Sequence, residues 1–295
     1  MTTSPDIDYA GQSRWSDPEP YGAALETAKS SPAELPDRVS GLILHPGLAR
    51  MRGFAVPPGA EHDQDLRSLA EMLDVLTTRN VAPLSAKRSP EDRLFGVCRH
   101  YALMAAALLR ADGVPARLRA GFATYFTPGW AEDHWVCEYR DGTSWKLLDA
   151  ELGDTTRRQL RIAFAPHDVP RDRFISAAQI WRGVRCGDLD ADKVGLRELG
   201  IRGLWFVAGS LLRDLAALTM DELQPWDVWG PTRNLEQDQP IDPEWLVRFD
   251  DLAAALSTEP QSLSDARRLA QTYAWATPGA TILSYRLEPI EVSLT

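Results

Sequence analysis

Cys98 stands two residues after Gly96 and opens a run whose apolar side chains recur at helical spacing. Those side chains are Tyr101, Met104, Ala105, Leu108 and Leu109. The pattern predicts a helix from Cys98 to Asp112 that stops at Gly113. A helix N-terminus carries about half a positive charge and unpaired N–H groups, and both favour the thiolate that attacks carbonyl carbons. Taken alone, however, a cysteine in a first turn is more often a small buried residue than a nucleophile.

A predicted hairpin aligns a histidine with an aspartate. Two strand-like runs, DHWVCEYR and SWKLLDAEL, flank Asp141-Gly142, a dipeptide typical of two-residue type I′ turns. If these two residues form the turn, His134 lies directly opposite Asp149. A carboxylate there can hold one imidazole nitrogen, fix the tautomer and leave the other nitrogen for a thiol.

The alignment depends on the length of the turn. A four-residue loop over 141–144 would place Glu151 opposite His134 instead of Asp149. A slip of one residue would carry the whole set of side chains to the other face of the sheet. The sequence therefore favours the pairing of His134 with Asp149 and leaves the alternative with Glu151 open.

The remaining cysteines and histidines do not form a metal-binding pattern. Cys137 lies three residues from His134, so on a strand their side chains point to opposite faces. Cys186 has no cysteine or histidine at ligand spacing, and His100 lies on a different side of the predicted helix from Cys98. We therefore expect no metal site and no other cofactor.

Five short motifs resemble the transglutaminase-like superfamily, which is related to the papain-type cysteine proteases. In chain order they are Gly96-x-Cys98, LLRADGVPAR, Gly121, DHW and Trp145-x-x-x-Asp149. The resemblance is clear over about residues 94–152 and implies a nucleophile helix packed on a small antiparallel sheet. Matched position by position, it implies Cys98 as the nucleophile, His134 as the general base and Asp149 as the acid that orients the histidine. The Cys98 backbone N–H is the implied first donor of an oxyanion hole, and no second donor stands out.

The chemistry that this resemblance implies is acyl transfer. The Cys98 thiolate would attack a carbonyl, and the resulting acyl-thioester would pass to water or to an amine. We expect amide hydrolysis or transamidation on a peptide or a small amide. The first alternative is an amide-forming acyltransferase that takes its donor as a thioester from a carrier protein or from CoA. The second is a non-catalytic binding or assembly protein.

The whole chain is predicted to be an α+β protein with a transglutaminase-like, papain-like core between mainly helical flanks. We divide it into a mostly helical or irregular N-terminal flank at 1–85, the catalytic core at 86–165 and a mostly helical C-terminal region at 166–295 packed on the core. Residues 36–63 are punctuated by glycine and proline and are predicted to be irregular. Helical spacing predicts further helices over 172–182, 193–219, 243–256 and 262–275.

Composition limits the classes of partner. The 295 residues carry a formal net charge of −10 and no basic stripe, so we expect no binding to nucleic acid or to anionic membranes. Arg202, Arg213 and Asp214 interrupt the most apolar stretch, 201–220, which predicts a buried helix rather than a membrane span. The three cysteines lack framework spacing and the N-terminus lacks the character of a signal peptide, which predicts a cytoplasmic protein. The arginine-rich, lysine-poor composition suggests a bacterial one, and the oligomeric state is not predicted.

Three further features were considered as parts of a substrate site. The aromatic segment TYFTPGWAED, residues 124–133, leads into His134 and forms either a rim or lid of the site or an ordinary surface loop. The tryptophans of LQPWDVWG, residues 223–230, are predicted to cap a core. Arg99 and Arg119 either meet an anionic group or are solvated surface side chains, and the acidic composition of the protein favours the second.

Overall fold

The computed structural model describes residues 7–294. Its α-helices are α1 (Gly22–Glu26), α2 (Leu35–Leu42), α3 (Pro46–Met51), α4 (Leu69–Arg79), α5 (Cys98–Ala111), α6 (Asp154–Leu160), α7 (Ala177–Cys186), α8 (Leu204–Leu218), α9 (Pro243–Leu256) and α10 (Leu263–Thr272). Its strands are β1 (Ala116–Ala123), β2 (Ala131–Asp141), β3 (Ser144–Leu148), β4 (Phe174–Ser176), β5 (Val194–Leu196), β6 (Ile201–Arg202), β7 (Asp227–Val228), β8 (Thr281–Ser284) and β9 (Ile290–Ser293). The predicted α+β class is confirmed.

The strands form two sheets. The larger has the order β4-β1-β2-β5-β6, with β3 paired to β2, and the smaller has the order β7-β8-β9. Pairing is antiparallel between β1 and β4 and between β2 and β3, whereas β5 runs parallel to β2. The strands β1, β2 and β3 follow α5 in the chain, as the sequence pattern predicts.

The chain divides into two compact units. One, here called the α5 unit, consists of Ile7–Leu118 and Trp135–Pro170, and the other, the α8 unit, contains Arg119–His134 and Arg171–Thr295. Each unit has its own buried helix, α5 in the first and α8 in the second. The three-part division into 1–85, 86–165 and 166–295 stays a prediction.

Helix α5 begins at Cys98 and ends at Ala111, within one residue of the predicted bounds. Every side chain from Cys98 to Arg110 is buried, so the helix is enclosed on all sides and not only along its apolar stripe. Gly113 follows with a φ of 72°, a left-handed conformation that ends a helix at little cost in glycine. Nearby, α4 begins with a capping box between Ser68 and Glu71.

The prediction that residues 36–63 are irregular is wrong, because this segment contains most of α2 and all of α3. Proline occupies the first turn of each helix. N–H groups there have no partner within the helix, so the missing N–H of proline costs nothing, and its fixed φ suits the helix. The His45 imidazole caps α3 by accepting the Gly47 N–H through Nδ1 at 3.0 Å. Pro36 and Pro46 therefore lie at the starts of helices and do not interrupt regular structure.

The turn of the β2–β3 hairpin also differs from the prediction. Asp141 pairs with Ser144, so the turn residues are Gly142 and Thr143 instead of Asp141 and Gly142. Gly142 has a φ of 58° and Thr143 is not left-handed, a combination that fits a type II′ turn with glycine first. The Asp141 carboxylate, at the end of β2, forms an ion pair with Lys146 Nζ at 2.7 Å.

This register corrects the predicted alignment of His134 with Asp149. The ladder runs from Asp141↔Ser144 to Cys137↔Leu148, where β3 ends, so it does not extend to Asp149. Continued at the same register, it would bring position 151 opposite 134, which is the register of the alternative with Glu151, although reached through a two-residue turn. The shift of two positions keeps each side chain on its predicted face of the sheet.

The α8 unit contains a helix in each of the four stretches where helical spacing predicted one, but two of these predictions are wrong in part. The stretch 172–182 is helical only from Ala177, because Phe174–Ser176 forms β4. Helix α9 spans Pro243–Leu256, as predicted. In the stretch 193–219 the α-helix begins only at Leu204. Three glycines with positive φ interrupt its first part, and β5 and β6 form there instead. Among the described residues, no helix combines the length and the apolar character needed to cross a membrane.

Candidate active site

Cys98 is the first residue of α5 and belongs to no disulfide. It is buried, with 9% of its surface exposed, and the preceding Val97 has the extended conformation of an N-cap residue. The thiol is therefore carried by the end of the helix at which N–H groups point outward and the partial charge is positive. This part of the sequence-based interpretation agrees with the structure.

His100 forms a hydrogen-bonded cap next to Cys98. Its Nδ1 accepts the Val97 N–H at 3.2 Å, which leaves Nε2 to donate to the Leu66 carbonyl at 3.0 Å. Burial, with the nearby Arg99 guanidinium, lowers the pKa of His100 to about 3. The ring is therefore neutral and occupied, and His100 has a structural role at the helix terminus.

Gly96 is needed for this cap. A Cβ at this position would lie 2.9 Å from His100 Cβ, closer than real Cβ contacts allow, and 3.0 Å from Leu94 Cδ2, which is a tight contact. The glycine of the Gly-x-Cys motif thus leaves room for the imidazole to fold back over the start of the helix. The Gly-x-Cys spacing thus has a steric reason in the packing of His100 against Gly96.

The prediction that Arg99 and Arg119 are solvated is wrong, because both are buried. Arg99 Nη2 donates to the Arg67 carbonyl at 2.6 Å, next to the carbonyl that His100 binds. Arg119 binds Asp214 through Nε and Nη2 at 3.0 and 2.9 Å. A guanidinium enters the interior only with such partners.

Asp63 is a structurally important residue that sequence reasoning missed. Its carboxylate accepts the Phe95 N–H at 2.8 Å and two bonds from Arg79 at 2.6 and 2.7 Å. Arg79 also donates to the Arg93 carbonyl at 2.8 Å. Together these bonds fix the segment that leads into Cys98. Asp63 lies far from Cys98 in the chain and belongs to no motif, so no sequence pattern marked it.

His134 lies in β2 and is 2% exposed. Three aromatic rings surround the imidazole, with centroids at 4.9 Å (Phe126), 6.0 Å (Tyr125) and 6.5 Å (Phe174). Two of them come from the aromatic segment 124–133, whose first part is a loop and whose last part belongs to β2. Gly121 of the resemblance motif permits the approach of Phe174, since a Cβ there would lie 2.8 Å from the ring.

Asp149 directly follows β3 and is 1% exposed. Its Oδ1 accepts the Glu151 N–H at 3.0 Å, and its own N–H donates to the Pro166 carbonyl at 2.8 Å. The carboxylate is thus held by a local turn of the kind that aspartate favours. Cys98 and Asp149 belong to the α5 unit, whereas His134 ends a segment of the α8 unit. The roles of all three stay predictions.

Asp133 is a buried acid next to His134 in the chain. Its pKa is raised to about 6 by burial, and the Arg213 and His134 charges counteract this only in part. Within residues 7–294 its Oδ1 has no hydrogen-bond partner. Asp133 therefore titrates in a range where an ordinary aspartate is already ionised.

Trp229 and the two other cysteines, Cys137 and Cys186, have contacts that fit a structural role. Trp229 is buried and donates its indole N–H to the Ala276 carbonyl at 2.8 Å, as expected for a residue that caps a core. Cys137 is buried in β2, and Cys186 is exposed with its sulfur 3.0 Å from Asp188 Oδ2. In the part of the chain that the structure describes, no three histidine, cysteine or acidic side chains are grouped so that they could hold a metal ion.

Comparison with known proteins gives one match to a family and one to a solved structure. Residues 67–150 match the family model of the transglutaminase-like superfamily core. A crystal structure of a candidate cysteine protease from Cytophaga hutchinsonii aligns with 59% of this chain and 47% of its own, at 18% identity and a TM-score of 0.34. The aligned part is thus about half the length of that protein, and so partial a likeness does not define an activity. No curated protein matches the sequence significantly. The matched segment includes Cys98, His134 and Asp149, and the chain therefore carries a transglutaminase-like core at residues 67–150, which supports cysteine-based catalysis.

Proposed function

We propose that the protein is an enzyme that transfers an acyl group through a thioester on Cys98, with an amide of a peptide or small molecule as the donor. The observation that carries this proposal is the position of Cys98 as first residue of a buried helix inside the matched core. Water as acceptor gives hydrolysis, and an amine gives transamidation. The reaction needs no cofactor.

The proposed reaction has two steps. His134 removes the Cys98 proton, the sulfur attacks the carbonyl carbon, and the resulting oxyanion is stabilised by the Cys98 backbone N–H. His134 then returns the proton to the amine as the C–N bond breaks, which leaves the acyl-thioester. In the second step His134 accepts a proton from water or an amine, which attacks the thioester carbonyl. The C–S bond then breaks, the acyl group leaves on the acceptor, and His134 returns the proton to the Cys98 sulfur.

The local structure supports this assignment of roles. His100, the histidine nearest to Cys98 in sequence, is neutral and bonded on both ring nitrogens, which leaves the role of base to His134. The hydrogen bond from the Glu151 N–H fixes the orientation of the Asp149 carboxylate, as a group that orients an imidazole requires. Aromatic rings around His134 exclude water from the imidazole, which strengthens its charge interactions.

The same residues would serve an acyltransferase that takes its donor as a carrier- or CoA-bound thioester and forms an amide. The group released when Cys98 is acylated separates this alternative from the first, because an amide donor releases an amine and a thioester donor releases a thiol. A non-catalytic binding or assembly role would leave Cys98 without chemical activation. The cytoplasmic location and a carrier protein as partner stay predictions.

The reactivity of the three cysteines tests the proposal. We expect iodoacetamide to alkylate Cys98 faster than the exposed Cys186, even though Cys98 is buried, because only an activated thiolate overcomes restricted access. Peptide mapping by mass spectrometry after timed labelling gives the rates. Cys137, which is also buried, is the control for burial. Faster labelling of Cys186, or equal labelling of all three, would contradict the proposal.

Two variants complete the test. In His134→Ala the pH at which the alkylation rate of Cys98 is half-maximal should rise, since the thiolate loses its partner cation. The corresponding pH for Cys186 should not change. Intact-mass spectrometry after incubation with a metabolite extract should show an acyl adduct that is absent from Cys98→Ser. The mass of the adduct would identify the acyl group of the donor.

A further inference from the structure

Arg52 and Arg93 form a pair of neighbouring cations within the α5 unit. Arg52 directly follows α3, and Arg93 lies in the segment that leads to Cys98. Burial lowers the pKa of the Arg93 guanidinium, and the positive charge of Arg52 lowers it further, whereas Tyr101 acts in the opposite direction. The two guanidinium groups are therefore close enough to repel each other, and both residues are half-buried.

Neutral groups hold both side chains in place. Arg52 donates from Nη2 to Thr156 Oγ1 at 2.8 Å, and its Nε donates to a second side chain of α6 at 3.1 Å. Arg93 donates from Nη1 to the Ser40 carbonyl at 3.3 Å and from Nη2 to the Arg88 carbonyl at 3.0 Å. These bonds orient the two guanidinium groups without neutralising them.

Glu151 is an acid that shares these surroundings. Burial raises the pKa of the Tyr101 phenol and Glu151 raises it further, whereas the two arginines lower it. All three charges therefore act on one buried phenol. Glu151 offsets one of the two guanidinium charges, so this cluster keeps an excess of positive charge in a protein whose net charge is −10.

The acid at the start of α6 does not supply the missing negative charge. The Asp154 carboxylate pairs with Arg157 Nη2 at 3.3 Å and also with Arg158. Among the described residues, neither Arg52 nor Arg93 forms an ion pair. Two oriented guanidinium groups, which have N–H groups left over and no carboxylate bonded to them, are the donors that an anion site requires.

We propose that Arg52 and Arg93 together bind a phosphate group, either as inorganic phosphate or as a phosphate monoester. A phosphate group presents at least three acceptor oxygens, enough for both guanidinium forks, whereas a carboxylate presents two. Two cations also favour an anion that carries more than one negative charge. The site lies in the α5 unit alone and goes beyond the proposed function, because it depends neither on His134 nor on acyl transfer.

Isothermal titration calorimetry at constant ionic strength tests the site. The probes are inorganic phosphate, pantetheine 4′-phosphate, pantetheine and acetate. We expect both phosphate probes to bind, acetate to bind about tenfold more weakly or less, and pantetheine not to bind, because only the phosphate reaches both guanidinium groups. No binding of either phosphate probe at millimolar concentration, or acetate binding as tight as that of phosphate, would overturn the inference.

Substitutions locate the binding. Arg52→Gln and Arg93→Gln should each weaken it about tenfold, because each removes one charge-assisted fork. Arg182→Gln removes the same charge from the exposed surface of α7 in the α8 unit and should leave the affinity unchanged. If Arg93→Gln does not fold, Arg52→Gln decides the question, since the Arg52 guanidinium bonds only side chains of α6. Unchanged affinity in Arg52→Gln, or an equal loss in Arg182→Gln, would contradict the site.

The two phosphate probes also distinguish the sources of the ligand. Tighter binding of pantetheine 4′-phosphate than of phosphate, lost in Arg52→Gln, would identify a phosphate monoester, and equal binding of the two would identify inorganic phosphate. Both results support the site. Cys98→Ser should bind either probe like the wild-type protein, so the site can be established even if Cys98 proves unreactive, and a reactive Cys98 does not rescue it.

Discussion

Arg119 and Asp214 carry opposite charges in a place that water does not reach. Their side chains are 2% and 0% exposed. The Asp214 carboxylate accepts two bonds from the guanidinium and a third from the Ala120 N–H at 3.0 Å. Removing two charges from water is so costly that such a pair adds little net stability. The loss of Asp214, however, removes both short bonds to the buried Arg119 guanidinium, whose ion pair with Glu259 is longer, at 3.6 Å.

Asp214→Ala should therefore lower the free energy of unfolding by about 3–5 kcal/mol. Urea denaturation at neutral pH measures the change. The control is Glu244→Ala, which removes a carboxylate from an exposed pair with Arg248 and should cost about 0.5 kcal/mol or less. Equal losses in the two variants would mean that burial does not determine the value of the pair.

At the level of elements, periodicity predicted α5 and α9 but missed α2 and α3, and it did not predict turns or side-chain partners. The bounds of α5 could be predicted because its apolar spacing and Gly113 both mark them. The hairpin turn could not, since Asp141-Gly142 and Gly142-Thr143 are both acceptable turn dipeptides. The observed turn at Gly142-Thr143 agrees with the ion pair of Lys146 with Asp141, a contact that no local sequence pattern predicts.

In the candidate site, too, the start of a helix could be predicted from the sequence, whereas the side-chain partners could not. The position of Cys98 at a helix start follows from spacing alone, and the structure confirms it. The burial of Arg99 could not be predicted, because its partner is a backbone carbonyl of Arg67 and every residue has a carbonyl. Asp63 escaped notice for a related reason, as it acts on Phe95 through the backbone.

The turn assignment leads to a matched pair of glycine substitutions. Gly142→Ala should lower the free energy of unfolding by about 1–2 kcal/mol, because alanine is strained at a φ of 58°. Gly41→Ala should raise it by about 0.5–1 kcal/mol, since Gly41 lies inside α2 with open space around a Cβ. Thermal or urea denaturation gives both values. A stabilising effect at Gly142 would be incompatible with the observed turn.

At the scale of the whole molecule, two strands each have residues in both units, and this affects how the units unfold. β1 starts in the α5 unit and continues into the α8 unit after Leu118, and β2 continues in the reverse direction after His134. Unfolding of either unit therefore disrupts a strand that the other unit needs. We expect a single cooperative transition, in which the titrations of both units contribute to one free energy of unfolding.

Two buried groups make that free energy depend on pH with opposite signs. His100, with its pKa lowered from 6.5 to about 3, stays neutral when folded but takes a proton when unfolded, so its contribution is lost as the pH falls below about 6.5. Asp133, with its pKa raised from 3.8 to about 6, keeps a proton that the unfolded chain releases. Its contribution is lost as the pH rises from about 4 to 6.

Between pH 4 and 6 the two contributions should cancel in the wild-type protein, and each single variant should expose the other. Relative to wild type, the free energy of unfolding of His100→Gln should fall with rising pH by about 1.4 kcal/mol per unit, and that of Asp133→Asn should rise by the same amount. Urea denaturation across this range measures the slopes, and the other titrating groups drop out of the comparison because all three proteins share them. Slopes parallel to wild type in both variants would show that neither group is shifted. If instead two transitions appear, with His100→Gln changing one and Asp133→Asn the other, the α5 and α8 units unfold separately despite the strands they share.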